Sequence, residues 1–548
     1  MPMPRIQLVA LSGLLLLSPS SAAPADGDAA LADAVRAHVA FLADDLLKGR
    51  DTGSAEYEIA ARYVAARFQA LGLEPAGDDA SFFQPVPMLK NQLDLESAAV
   101  EIHRKREIVD LEWVVDFLMR GDAARQETSV TAPVVFAGFG IYAPQLDYDD
   151  FAGVDVRGKI VLELSGAPAS FPHNQRAYYS SRRTKRREAL KRGAVGLLRL
   201  QTAEDARRVP WERMTRNPGR PGMRWLDPTG ELHDFAPQLE GMAFLSHKGA
   251  AKLLVGSGRT LDDILQAASA GRVESFALPV EVTLRRRTSH EKISNSNVAA
   301  VLRGSDRLLS NEFVVYTAHL DHVGVGAPHN GDEIYNGAYD NAMGVAILLE
   351  TARLFADLPE PPKRSVFFLA VAGEEKGLLG SDYFVHHPTV PIETIVANVN
   401  LDMPLFLYPL RDVVAFGAEH SSLNGTVLRA AEAVGFDLSP DPMPEEVLFI
   451  RSDQYSFVRK GIPAVFLVPG MNSRDPQVEG GKLWRQFLRT HYHMPSDDPS
   501  LDFDGASAAR FTRANYLIGL EVASAEDRPT WNEGDFFGDR FGADPAPE

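Results

Sequence analysis

Between residues ~294 and ~525 the chain alternates short apolar runs with helical patterns, and this alternation restricts the fold more than any other feature. Strands are predicted over 312–318, 365–371, 395–401 and 463–468, with a helix over 342–355 between the first two. Parallel neighbours need a crossover connection, so strands alternating with helices indicate a parallel sheet. Val366 to Val371 is apolar without a break, as suits a central strand covered on both faces. The expected fold class is α/β, with a mostly parallel central sheet flanked by helices.

The preceding residues differ in texture. Over 31–128 the pattern opens as helix: Ile59, Tyr63, Val64, Phe68 and Leu71 share one face, and Gly72 follows as a C-terminal cap. Residues 129–275 are β-rich, with short runs at 132–137 and 159–164 separated by Gly and Asp turns. Within them Arg182, Arg183, Lys185, Arg186, Arg187, Lys191 and Arg192 form a basic cluster with Ala189, Leu190 and Ala194 on an apolar side. It reads as a solvated helix face, with a docking surface for an acidic partner as the alternative. The Arg285–Arg287 run reads as a solvated edge between domains. Residues 526–548 are rich in Gly, Pro, Asp and Glu and predict an extended tail with aromatics able to dock on the body.

At the N-terminus, Arg5, an apolar run from Leu8 to Leu17 and the small-residue exit Ser18 to Ala23 make a secretory signal over 1–22. The run is too short to span a bilayer, and no later stretch is apolar enough to do so. The expected location is periplasmic or extracellular, with no membrane anchor after signal removal. A formal net charge of −18 disfavours nucleic acid as a partner.

In an open α/β sheet, ligands bind beyond the carboxyl ends of the strands. The first predicted strand is followed by His319-Leu-Asp321-His322, the second by Glu374-Glu375 and the third by Asp402. Asp340-Asn341 opens the intervening helix, and His491-Tyr492-His493 through Asp497 forms a polar loop near the end. Each signal is weak alone; one parallel sheet would bring them to one rim. Asp340, Glu374, Glu375 and Asp402 would repel strongly there without a counter-charge. The chain has no cysteine, so a metal site must use His, Asp and Glu, a donor set that suits zinc in an open catalytic site. Two zinc ions would balance the four carboxylates.

The set resembles the di-zinc aminopeptidase family, which includes bacterial leucyl-type aminopeptidases, glutamate carboxypeptidase, glutaminyl cyclase and the catalytically silent transferrin receptor. The resemblance extends to Leu42 through Arg50, to Ser452-Asp-Gln454 and to Gly461-Ile-Pro463. Val135 through Gly140 and Asp155 through Val161 look like a protease-associated domain inserted into the catalytic domain. The implied organisation is a signal peptide at 1–22, catalytic segments at 31–128 and 285–525, the insertion at 129–275 and a tail at 526–548.

The resemblance also implies roles. His319 and Asp402 would bind one zinc, Glu375 and His493 the other, and Asp340 would bridge them. Asp321 would orient His319. Glu374 would be the general base acting on a metal-bridged water, and Tyr492 would donate to the oxyanion. The implied activity is hydrolysis of N-terminal peptide bonds in peptides with a free N-terminus. The alternatives are a carboxypeptidase or dipeptidase of the same family, a glutaminyl cyclase or a non-catalytic receptor-like relative. His322, His329, His386 and His387 are read as bystanders, with His386 and His387 on the surface. His491 competes with His493 as ligand, and Gln454 is read as either pocket rim or loop packing.

Overall fold

A computed structural model describes residues 25–233 and 238–542. The signal expected over 1–22 lies outside them, as does the tail beyond 542. In chain order, the elements that position the site are helix α1 (Ala25–Leu42), helix α2 (Ala55–Ala70), strands β1 (Phe83–Arg104), β2 (Glu127–Phe136) and β3 (Ile160–Leu164), helix α3 (Arg182–Lys191), strands β4 (Gly196–Leu200), β5 (Gly241–Leu245), β6 (Phe276–Leu302) and β7 (Phe313–His319), helix α4 (Met343–Ala356), strand β8 (Ser365–Val371), helix α5 (Leu379–His386), strands β9 (Ile395–Asn400), β10 (Asp412–Phe416) and β11 (Ala464–Pro469), and helices α6 (Gly480–Thr490) and α7 (Gly505–Ser524).

Strands β11, β9, β7 and β8 lie side by side and parallel, with β10 antiparallel outside β11 and β6 antiparallel outside β8. Every residue of β7 and β8 is buried. Helices α1, α4 and α7 pack on one another, and α4 and α7 also pack on β7. The mostly parallel sheet flanked by helices is therefore present, with the four predicted strands within one residue of their expected ends.

The sheet continues past β6, where β2, β3, β4 and β5 follow as a second parallel set. Strand β1 runs antiparallel to β6 from Phe83 opposite Val298 to His103 opposite Glu281. This long ribbon joins the two regions as a stiff paired element, not a loose linker.

Three sequence expectations change. Alternation along β6 turns Arg285 and Arg287 outward, towards Glu101 and Asp94, but buries Arg286 against Asp122 at 2.8 Å. The Arg285–Arg287 run is thus only partly a solvated edge. On α3, Lys185 is buried and donates to the carbonyls of Leu164 and Gly166, so the basic helix is not a wholly solvated face. In α2, Tyr57, Ala60, Ala61, Val64, Ala65 and Phe68 are buried, while Ile59 is exposed at the stripe's edge. Gly72 takes the left-handed conformation expected of a C-terminal cap.

The tail folds into a short helix at Phe536–Phe541 instead of staying extended. Its aromatics do dock. Phe537 and Phe541 are buried, Phe536 lies 5.6 Å from the Tyr178 ring, and Trp531 Nε1 donates to the Gly461 carbonyl at 2.8 Å.

Candidate metal centre

Parallel strands end at a common rim, and here that rim collects the polar residues. Strand β7 ends on His319, β8 leads through Gly373 into Glu374 and Glu375, and β9 leads into Asp402. Between β7 and α4 the chain passes through a buried loop carrying Asp340. Helix α6 ends at Thr490, and the loop beyond it brings His493 back over the rim.

The donors fall into two groups that share Asp340. On one side, His319 Nε2 lies 3.2 Å from Asp402 Oδ1 and 3.4 Å from Asp340 Oδ1. On the other, His493 Nε2 lies 3.1 Å from Asp340 Oδ2 and 3.1 Å from Glu375 Oε1. His322 joins the second group, with Nδ1 at 2.9 Å from Glu375 Oε1 and 3.8 Å from Asp340 Oδ2.

His322 is therefore part of the centre and not the bystander its sequence position suggests. Once the chain leaves β7 after His319, strand alternation no longer applies, and His322 is fully buried in the cleft. Its closeness to His319 and Asp321 in sequence was the available signal. His386 is another correction: it is half-buried rather than on the surface, with Nδ1 2.7 Å from the Asp382 carbonyl.

A supporting shell holds the loops. Asp321 Oδ1 accepts from the Glu374 amide at 3.1 Å, and Oδ2 accepts from the Glu375 amide at 3.3 Å and from Thr52 Oγ1 at 2.9 Å. The His319 Nδ1 atom is 3.1 Å from the Asp321 carbonyl and 3.9 Å from its carboxylate. Asp321 therefore organises the glutamate pair as well as the imidazole.

Asn341 donates to the Leu401 carbonyl and accepts from the amides of Gly344 and Met403, coupling the Asp340 loop to the Asp402 loop. Asp497 accepts from the amides of Tyr339 and Asp340 at 2.9 and 3.0 Å. Arg50 is fully buried and donates to the carbonyls of Leu320, Asn336, Gly337 and Leu42. Gly337 has a φ of 63°, and a Cβ there would lie 2.5 Å from the His322 ring, so that turn requires glycine.

His491 turns away, with Nδ1 2.9 Å from the Ser496 carbonyl. Gln454 is buried between Asn400 and the Phe449 carbonyl, a packing role. The Tyr492 ring lies beside His493, tilted by 36°, with ring centroids 4.0 Å apart.

The donor set fits divalent cations. Glu375 Oε1 and His322 Nδ1 are buried and face each other at 2.9 Å without the geometry of a hydrogen bond, and His322 Nε2 is buried with no hydrogen-bond partner among the described residues. Burial, aided by Asp402 and Glu375, holds the Glu374 pKa well above the usual carboxylate range. Burial likewise pushes Asp321 up to about 6, and Asp453 and Asp497 up to about 7. Burial opposes charge on Glu375 too, but His493 and His322 hold its pKa well below normal. For His493, burial opposes protonation while Glu375 and Asp340 push the pKa up to about 9. Carboxylates thus exceed buried cations here, as a metal-holding cleft requires. A third grouping, His233 with Asp382 and His386, is different: Arg459 donates to Asp382 at 2.8 Å and Arg183 lies 3.8 Å away, so cations already occupy that carboxylate.

Residues 297–517 match Peptidase family M28. Among curated relatives, Aminopeptidase YwaD of Bacillus subtilis (strain 168) is 28% identical over 217 residues, covering 38% of this chain and 42% of that protein. A probable zinc metalloprotease of Pyrenophora teres f. teres is 35% identical over 112 residues, covering 20% and 23%. The chain spans less than half the length of these relatives. The aminopeptidase from Aneurinibacillus sp. strain AM-1 shares the fold at a TM-score of 0.53 and 18% identity, over 91% of this chain and 95% of that one.

Proposed function

We propose that this chain is an exported di-zinc aminopeptidase that hydrolyses N-terminal peptide bonds. One observation carries the reading: the two oxygens of Asp340 face separate donor groups, His319 with Asp402 and Glu375 with His493. A carboxylate so placed can serve two cations at once. His319 and Asp402 would hold one zinc, Glu375 and His493 the other, and Asp340 both. Zinc supplies Lewis acidity, which lowers the pKa of water and polarises the scissile carbonyl.

The protein's own groups handle the protons. Glu374 takes a proton from the attacking water and returns it to the leaving amine. Burial raises its pKa, which suits a base that must briefly carry that proton. Tyr492 donates to the oxyanion. Burial and the nearby Asp340, Glu375 and Glu374 raise its pKa, so it keeps the proton it donates. Asp321 holds the backbone of the Glu374–Glu375 pair.

The insertion over 129–275 we assign as a protease-associated domain, an assignment supported by the parallel set β2–β5 and by an apolar cluster of its own around Val135, Phe151, Val161 and Leu197. The catalytic domain is then split between 31–128 and 285–525. Export rests on the signal pattern at 1–22; among the described residues no helix is long and apolar enough to cross a membrane.

A panel of peptides that are free, N-acetylated or C-amidated, assayed with and without chelator, tests the activity. Free and C-amidated peptides should be cleaved, N-acetylated ones should not, and chelator should abolish all activity. Cleavage of N-acetylated peptides with C-amidated ones inert would make the enzyme a carboxypeptidase.

A further inference from the structure

A cleft attracts or repels a charged substrate through the groups on its walls, whatever the average charge of the protein. The average here is −18, yet the wall beside His493 is cationic. It is built by residues 211–220, which lie in the sequence between β4 and β5 and reach across to the centre. Arg213 donates to the carbonyls of Leu488 and Tyr492, both at 3.1 Å, with its guanidinium 5.2 Å over the Tyr492 ring. Arg216 approaches the sulfur of Met494, the residue after His493. Arg220 donates to the carbonyl of Val323, the residue after His322, at 3.3 Å. The three guanidinium groups thus flank both loops that carry imidazoles of the second donor group.

Every one of these partners is neutral. No carboxylate forms an ion pair with Arg213, Arg216 or Arg220 among the described residues. Arg216 is exposed and its contact is a thioether, a weak acceptor. Nearby Arg451 pairs with Glu446, which Arg208 also engages, so that carboxylate is already shared. Burial, aided by Arg216 and Arg451 and opposed by Tyr492 and Glu446, lowers the pKa of Arg213.

The charge pattern is polar across the centre. Glu374, Asp402 and Asp453 lie close to one another on one side, and the arginines stand on the other. A substrate ammonium group is drawn to the first side and repelled by the second. A carboxylate is drawn to the arginines, whose planar donors match it in bidentate fashion.

We propose that the Arg213, Arg216 and Arg220 wall receives a substrate carboxylate on the C-terminal side of the scissile bond, so that the enzyme favours peptides that are anionic there. The carboxylate can be an acidic side chain or the free C-terminus of a di- or tripeptide. The inference rests on the aminopeptidase reading above.

The test uses the full zinc-loaded chain and two matched sets of peptides. The first compares Ala-Ala with Ala-Ala amide. The second compares Leu-Ala-Glu, Leu-Ala-Gln and Leu-Ala-Lys, all as amides. The expected kcat/KM is about tenfold higher for the anionic member of at least one set, with the advantage shrinking as salt rises from about 0.05 to about 0.5 M. A preference in the first set alone assigns the C-terminal carboxylate, and in the second alone the side chain. Arg216→Ala should cut the ratio severalfold, and Arg216→Glu further still. Equal kcat/KM across charge in the wild type, or an unchanged ratio in both variants, overturns the proposal while leaving the peptidase reading intact. Hydrolysis of no peptide in either set overturns both.

Discussion

Glu374→Gln should lose about 10²–10⁴ in kcat while binding zinc as the wild type does. The two side chains have nearly the same shape, so packing at the end of β8 is kept. What changes is the ability to accept a proton in a site already crowded with negative charge. Glu374 is near His319, Asp402 and Glu375, but neither of the close donor groups around Asp340 includes it. Its neighbour behaves differently. Glu375 Oε1 lies between His322 and His493, so Glu375→Gln should weaken metal binding itself. Near-normal kcat in Glu374→Gln at full zinc content would remove it as the base.

Arg50→Met should destabilise the zinc-loaded protein by about 3–5 kcal/mol, the usual cost of breaking a buried charged network. Methionine has a comparable length but no donors. The carbonyls of Leu42, Leu320, Asn336 and Gly337 would lose their shared partner. Burial lowers the Arg50 pKa to about 10, opposed by nearby Asp497, Asp321, Asp340 and Glu375. Those carboxylates would be left less compensated. The measurement is the denaturant midpoint with zinc in excess; a shift worth under about 1 kcal/mol would show that Arg50 is not the tie between α1 and the metal-side loops.

The central sheet was legible because burial on both faces leaves a distinct trace: Val366 to Val371 has no polar residue to interrupt it. The positions of His319, Glu374, Glu375 and Asp402 followed from strand ends, since parallel strands share a rim. What escaped were features set by tertiary contact. His322 lies in an irregular turn where periodicity has no meaning. Arg286 and Lys185 sit in basic runs that read as solvated, yet Arg286 is buried against Asp122 and Lys185 against the carbonyls of Leu164 and Gly166, partners outside their own elements. The β1–β6 ribbon is half-buried along much of its length, so polar residues such as Arg285 and Arg287 recur within it and mask its apolar face. The arginine wall depends on residues 211–220 meeting the loop at 491–494, a contact across more than 270 positions that no local pattern announces.

Turnover at this centre should require two metal ions. Metal-free protein, prepared with chelator and titrated with zinc, should recover hydrolysis of aminoacyl amides with a break at about two zinc ions per chain. Full activity at a firm value of one would contradict the shared role of Asp340 and make this a single-metal hydrolase.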